Sequence, residues 1–106
     1  AHAFDGINIK LMKCASLLEG KRMIDTARNH DLQIMLGCMV ESAVGITAAA
    51  HLAPQVDYAD LDGNLLIDND PYNGVQVKDG RLVLPHGNGL GVVIDSNYKK
   101  NWPELK

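Results

Sequence analysis

Aromatic residues are scarce in this 106-residue chain, at 5% of the sequence with one tryptophan and one phenylalanine. Any core must therefore be mainly aliphatic, and a hydrophobic content of 46% is enough for one ordinary domain. Basic residues are not in excess: ten Lys and Arg against thirteen Asp and Glu leave a net charge of −3, without the electrostatic footprint of a nucleic-acid binder. Long apolar runs are missing too. The longest helical one, around Ala43 to Pro54, is too short to cross a bilayer, and no secretory leader is recognisable at the start. Cys14 and Cys38 belong to no CxxC pair, and His2, His30, His51 and His86 show no ligand spacing beside them, so a zinc site is not expected. Reduced thiols and a cytoplasmic location are the expectation.

What is present is organised around Gly6-Ile7-Asn8-Ile9-Lys10-Leu11-Met12-Lys13. Strand alternation puts Ile7, Ile9 and Leu11 on one face and Asn8, Lys10 and Met12 on the other. Parallel sheets are covered on both faces and read as continuous apolar runs, so a lysine ending such a strand needs a reason. It either snorkels to solvent or serves as an acid or base at the mouth of a parallel β/α barrel. The second role requires partial desolvation or a neighbouring positive charge, which Lys13 or a metal could supply. Ser16 and Glu19 form a capping-box pattern ahead of a helix to about Asn29, with Leu17, Gly20, Ile24 and Ala27 facing inward. Leu32–Leu36 reads as a second covered strand, followed by the Gly37–Ser42 loop and a nearly uncharged helix from about Ala43 to Ala53, stopped by Pro54. A third strand is expected over Val56–Leu61. The order strand, helix, strand, helix, strand fits β/α units of a parallel sheet.

After Gly63 the character changes. Residues 64–95 read as a polar connection, a hairpin with Asp79-Gly80 as its two-residue turn, and a glycine-rich segment; 96–106 reads as a loosely held polar tail. Gly87-Asn88-Gly89-Leu90-Gly91 lacks the Lys-Ser/Thr of a phosphate loop and is given a structural role.

Three places follow expected strand ends, where parallel β/α folds bind ligands: Lys10, the Cys38–Ser42 loop, and the pair Asp60 and Asp62. The two aspartates, two positions apart, can point to one side and hold a metal or an ammonium group, or can be turn residues before Gly63. An EF-hand loop starting at Asp60 fails, with Leu65 at its glycine position and Pro71 at its bidentate glutamate position. Glu41 is either a site acid or a carboxylate favouring a helix N-terminus. Cys38 has no histidine near it in sequence to activate it, so it is read as packing or lining a pocket.

Together Ile7–Lys13, Gly37-Cys38-Met39-Val40-Glu41-Ser42, Gly45–His51, Asp60-Leu61-Asp62-Gly63 and the Leu84–Val92 segment resemble the C-terminal third of a dipeptide epimerase of the L-Ala-D/L-Glu type, in the muconate-lactonising branch of the enolase superfamily. The resemblance implies an α/β fold, the sixth to eighth strands of a modified (β/α)7β TIM barrel plus a terminal hairpin returning toward a capping domain. It implies that Lys10 exchanges a proton with the substrate's α-carbon, that Asp60 and Asp62 hold the dipeptide's ammonium group, and that Cys38, Met39, Val40 and Glu41 border the substrate. It further implies an enediolate stabilised by Mg²⁺, a second lysine on the opposite face, and a homo-oligomer as one arrangement of the intact enzyme. The family's glycine pair after the lysine strand is replaced here by Cys14-Ala15-Ser16. Its first base and its three acidic magnesium ligands lie upstream of the matching segment.

Three parallel strands cannot close a barrel. The expectation is therefore that this chain is part of a longer enzyme and inactive alone, with a small dipeptide as substrate and neither nucleic acid nor membrane as partner. The alternatives are a muconate cycloisomerase-like or N-acylamino acid racemase-like enzyme, or a noncatalytic α/β module associating through its sheet edge.

Overall fold

The computed structural model describes residues 3–99. Its centre is a three-stranded parallel sheet in the order β1 (Gly6–Lys10), β2 (Gln33–Gly37), β3 (Tyr58–Ala59). Helix α1 (Leu17–Asn29) links the first two strands and α2 (Ala43–Ala50) the last two. The alternation expected for β1 holds: Ile9 is fully buried while Asn8 is exposed. Ile9, Ile34 and Leu36 pack with Ile24 and Ala27 of α1 and Ile46, Ala49 and Ala50 of α2, giving an aliphatic core.

Ser16 caps α1 through its side chain, which accepts from the Glu19 N–H at 3.1 Å. Gly20, Ile24 and Ala27 are buried along the expected stripe, whereas Leu17 at the open first turn is exposed. Gly20 is small for a reason: a Cβ there would lie 3.1 Å from methyls of both Leu11 and Leu52.

Two expected boundaries are too generous. Helix α2 stops at Ala50 rather than Ala53, because the chain tightens as Leu52 N–H reaches back to Ala49, and Pro54 then enters a separate 3₁₀ turn, Ala53–Gln55. Strand β3 covers two residues rather than Val56–Leu61. Its pairing nevertheless extends beyond both ends, through Asp57 N–H to Ile34 O and Asp60 N–H to Leu36 O, each 2.9 Å.

The hairpin forms as expected, with β5 (Gln76–Lys78) antiparallel to β6 (Arg81–Val83). Asp79 and Gly80 both have positive φ, the signature of a type I′ turn. The hairpin is preceded by β4 (Tyr72–Asn73), which pairs with β7 (Val93–Ile94). Of the expected loose tail, Ser96–Lys99 forms a helical turn, α3, headed by the Asp95 carboxylate, which accepts from Asn97 N–H at 2.7 Å; positions 100–106 lie outside the described residues.

The segment after residue 67 is fastened to α2. Asp70 accepts from Ala43 N–H and from Tyr72 N–H, so a carboxylate from far along the chain caps α2 where Ser42 makes no side-chain cap. Buried Thr47 accepts the Val75 N–H at 2.8 Å, and Gly74 passes so close that a Cβ would be 2.1 Å from the Thr47 oxygen.

Candidate active site

Residues paired across parallel strands present their side chains to the same face. The register therefore sorts the sheet into rows. Ile7 beside Ile34, and Ile9 beside Leu36, face the helices. Asn8, Met35 and Tyr58 form a row on the other face, and Lys10 beside Gly37 begins the next. Continuing the β2–β3 register by one residue brings Asp60 beside Gly37. Lys10, Gly37 and Asp60 thus cross the C-terminal rim in one line, with a glycine in the middle. Two interstrand spacings put the backbones of Lys10 and Asp60 about 10 Å apart, with no side chain from the strand between them.

That glycine is needed where it stands. A Cβ on Gly37 would lie 2.7 Å from Asn8 Oδ1 and 3.3 Å from Lys10 Cε, so the Asn8 amide and the lysine stem occupy the space it leaves. The half-buried Lys10 reaches the neighbouring loop, where its Nζ is 3.9 Å from Met39 Sδ. Thioether sulfur is a weak acceptor, so the ammonium remains available for a stronger partner.

The loop after β2 and the loop after β3 lock together. The Cys38 thiol lies 3.8 Å from Asp62 Oδ1. Gly63 runs beneath Met39 so closely that a Cβ would sit 2.0 Å from the Met39 carbonyl oxygen. Glu41, only 8% exposed, turns back into its own loop: its Oε2 accepts from Met39 N–H at 2.9 Å, and Oε1 faces Gly45 in the first turn of α2. Val40 and Met39 keep their side chains exposed. Strand-end position singled out Lys10, the Cys38–Ser42 loop, Asp60 and Asp62 as candidates, and the resemblance added Met39 and Val40; neither pointed to Gly37 and Gly63, which set the clearances between them. A glycine ending an apolar strand, and another directly after an Asp-x-Asp, were the available signals.

Lys10 is thus brought into one row with Asp60 and into contact with Met39, and Asp62 into contact with Cys38. Among the described residues, no three His, Cys, Asp or Glu side chains converge as a metal site.

The lysine, the two aspartates and the pinned loop lie at the C-terminal rim of a parallel β/α sheet, the end at which β/α-barrel folds carry their ligand loops. The Enolase C-terminal domain-like family model matches residues 1–98, and the chain belongs to that family. It is 52% identical over 91 residues to an L-Ala-D/L-amino acid epimerase of Flavobacterium johnsoniae, a match covering 86% of this chain and 27% of that protein. It is 48% identical over 91 residues to an L-Ala-D/L-Glu epimerase of Bacteroides thetaiotaomicron, covering 86% of this chain and 24% of that one. Among solved structures, the dipeptide epimerase of Methylococcus capsulatus complexed with Mg and the dipeptide L-Arg-D-Lys superposes with a TM-score of 0.76 at 41% identity, over 81% of this chain and 25% of that one. The chain spans about a quarter of the length of the curated relatives it matches.

Proposed function

We propose that this chain supplies the C-terminal part of a dipeptide epimerase, one that inverts the α-carbon of a dipeptide by moving a proton from one face to the other. The observation that carries the reading is the row Lys10–Gly37–Asp60, with Asp62 joined to the same rim through Cys38. In this reading Lys10 is a catalytic residue: its neutral amine takes the α-proton as the C–H bond breaks, and its ammonium returns a proton in the reverse direction. A second acid–base group, outside this chain, works on the opposite face. Asp60 and Asp62 hold the dipeptide's ammonium group by charge-assisted hydrogen bonds, across the gap left by Gly37. Cys38, Met39, Val40 and Glu41 border the substrate, the last by fixing the loop.

The reading includes a magnesium requirement met by residues outside this chain, supported by the magnesium complex of the Methylococcus relative. It also places the protein in the cytoplasm, in keeping with two free cysteines, with a homo-oligomer as one arrangement open to the intact enzyme.

The test is α-proton exchange of dipeptides in deuterium oxide by the full-length polypeptide that carries this chain. Exchange with inversion supports the reading; no exchange with any dipeptide overturns it. The 106-residue chain alone is expected to give none.

A further inference from the structure

Among the described residues, the hydrogen-bond partner of the Lys10 ammonium is a sulfur, the Met39 thioether 3.9 Å from Nζ. The backbone that carries this sulfur is fixed on both sides. Glu41, almost completely buried, takes the Met39 N–H at 2.9 Å, and the Met39 carbonyl lies over Gly63 with no room for even a Cβ beneath. A thioether accepts only weakly, and contact with one donor leaves it a second lone pair. The Met39 side chain is 42% exposed, whereas Met23 and Met35 are half-buried. Met12, on the turn Leu11–Lys13, is more open still at 65%, but it is Met39 that meets the amine.

We propose that Met39 is an oxidation site that governs Lys10: hydrogen peroxide converts its thioether to the sulfoxide, whose oxygen holds the lysine as its ammonium and stops proton transfer. The step balances. A sulfur lone pair attacks one peroxide oxygen, and the S–O bond forms as the O–O bond breaks. The departing hydroxide takes the proton of the oxygen that stays and leaves as water; sulfur loses two electrons and the peroxide gains them. The product differs from the thioether in its acceptor strength. A charge-assisted N–H···O bond replaces a weak contact with sulfur, and hydrogen bonding to the charged form favours that form. The inference rests on the epimerase reading, in which Lys10 works through its neutral amine. That reading also supplies access, since an amine reached by a dipeptide is open to the much smaller peroxide. Reductases return a methionine sulfoxide to the thioether, which makes the modification a reversible switch.

The experiment follows α-proton exchange of a dipeptide by the full-length polypeptide before and after hydrogen peroxide, with mass spectrometry of the peptide spanning Met39. The expected result is a loss of kcat of at least about tenfold, the worth of a hydrogen bond to a charged group, in step with one oxygen added at Met39. Bound dipeptide should slow the loss. Dithiothreitol, which reverses disulfides and sulfenic acids at Cys14 and Cys38, should not restore the rate, whereas methionine sulfoxide reductase should. Each variant is read as its own rate after peroxide relative to its rate before. On that scale Met39→Leu should hold steady and Met12→Leu should fall as the parent does. The inference is overturned, with the epimerase reading intact, by any of three results: exchange that survives complete oxidation of Met39, recovery with dithiothreitol alone, or a Met39→Leu variant inactivated as fast as the parent. Absence of exchange before peroxide overturns both.

Discussion

At the N-terminal rim of the sheet, Arg28 at the end of α1 meets Asp57 at 2.8 Å and donates to Gln55 O at 3.1 Å, while the same Asp57 oxygen accepts from Ile34 N–H at 2.7 Å. One ion pair there ties a helix, a strand and a loop. At the C-terminal rim, among the described residues, the polar ends of Lys10 and Asp62 have only sulfur as a hydrogen-bond partner and the Asp60 carboxylate has none. Arg28 and Asp57 are matched with each other; at the other end Glu41 is matched by a backbone N–H, while Lys10, Asp60 and Asp62 have no ionic partner among the described residues. In β/α folds this division follows chain direction, since strand C-termini carry the ligand loops and the opposite rim carries stability. Altering each rim in turn tests the contrast.

Removing the lysine should have the largest effect. Lys10→Ala in the full-length polypeptide is expected to lower kcat for dipeptide exchange by about a thousandfold or more, as removal of a general base does, with little change in melting temperature. A large loss of stability with retained exchange would put Lys10 on the structural side of the comparison. Next come the acids. Asp60→Asn or Asp62→Asn should raise KM for dipeptides roughly tenfold to a hundredfold, the worth of a hydrogen bond to a charged group. An unchanged KM would favour relatives whose substrates carry no ammonium.

Changes to the groups that seat the elements should act on stability, with or without an effect on KM. Gly63→Ala forces the two site loops apart, because no conformer of the added methyl avoids the Met39 carbonyl; a cost of about 1–3 kcal/mol is expected, with KM rising as the loop moves. Thr47→Val keeps the shape but strips the Val75 N–H of its acceptor in a buried setting, for about 1–3 kcal/mol by denaturant titration and no change in KM.

Features with local causes were legible in the sequence. The β1 alternation, the Ser16 cap and the type I′ turn at Asp79-Gly80 each depend on residues within a few positions of one another. So was the convergence of Lys10, the Cys38 loop and the aspartate pair, since strand ends of successive β/α units fall at one rim whatever their exact lengths. The contacts that seat the elements were not legible. Asp70 caps α2 from a segment the sequence shows only as a turn, and Thr47 reads as one more residue in an alanine-rich helix until Val75 is laid against it. Gly37 and Gly63 act through the atom they lack, and an absent Cβ has meaning only once its neighbours are placed. Asp57 acts at long range as well: its carboxylate accepts from Arg28 of α1 and from the Ile34 N–H of β2, partners that lie far from it in sequence.

The smallest expected effect is also the cleanest check on the N-terminal rim. Hydrogen bonding from Arg28, and then from the Ile34 N–H, holds the Asp57 carboxyl below its ordinary value of 3.8. A carboxyl whose folded value is depressed contributes stability that is complete above the unfolded value and disappears as pH falls through the folded one. The contribution of this pair should therefore be constant from neutral pH down to about pH 5 and decline below it. The site is solvent-accessible, so salt should weaken it further. Asp57→Asn should flatten that acid limb slightly and leave dipeptide KM untouched, because Asp57 stands at the opposite end of the strands from Lys10. Thermal melts at pH 3 to 7 in low and high salt measure it; an Asp57→Asn variant with an unaltered acid limb but an altered KM would reverse the assignment of the two rims.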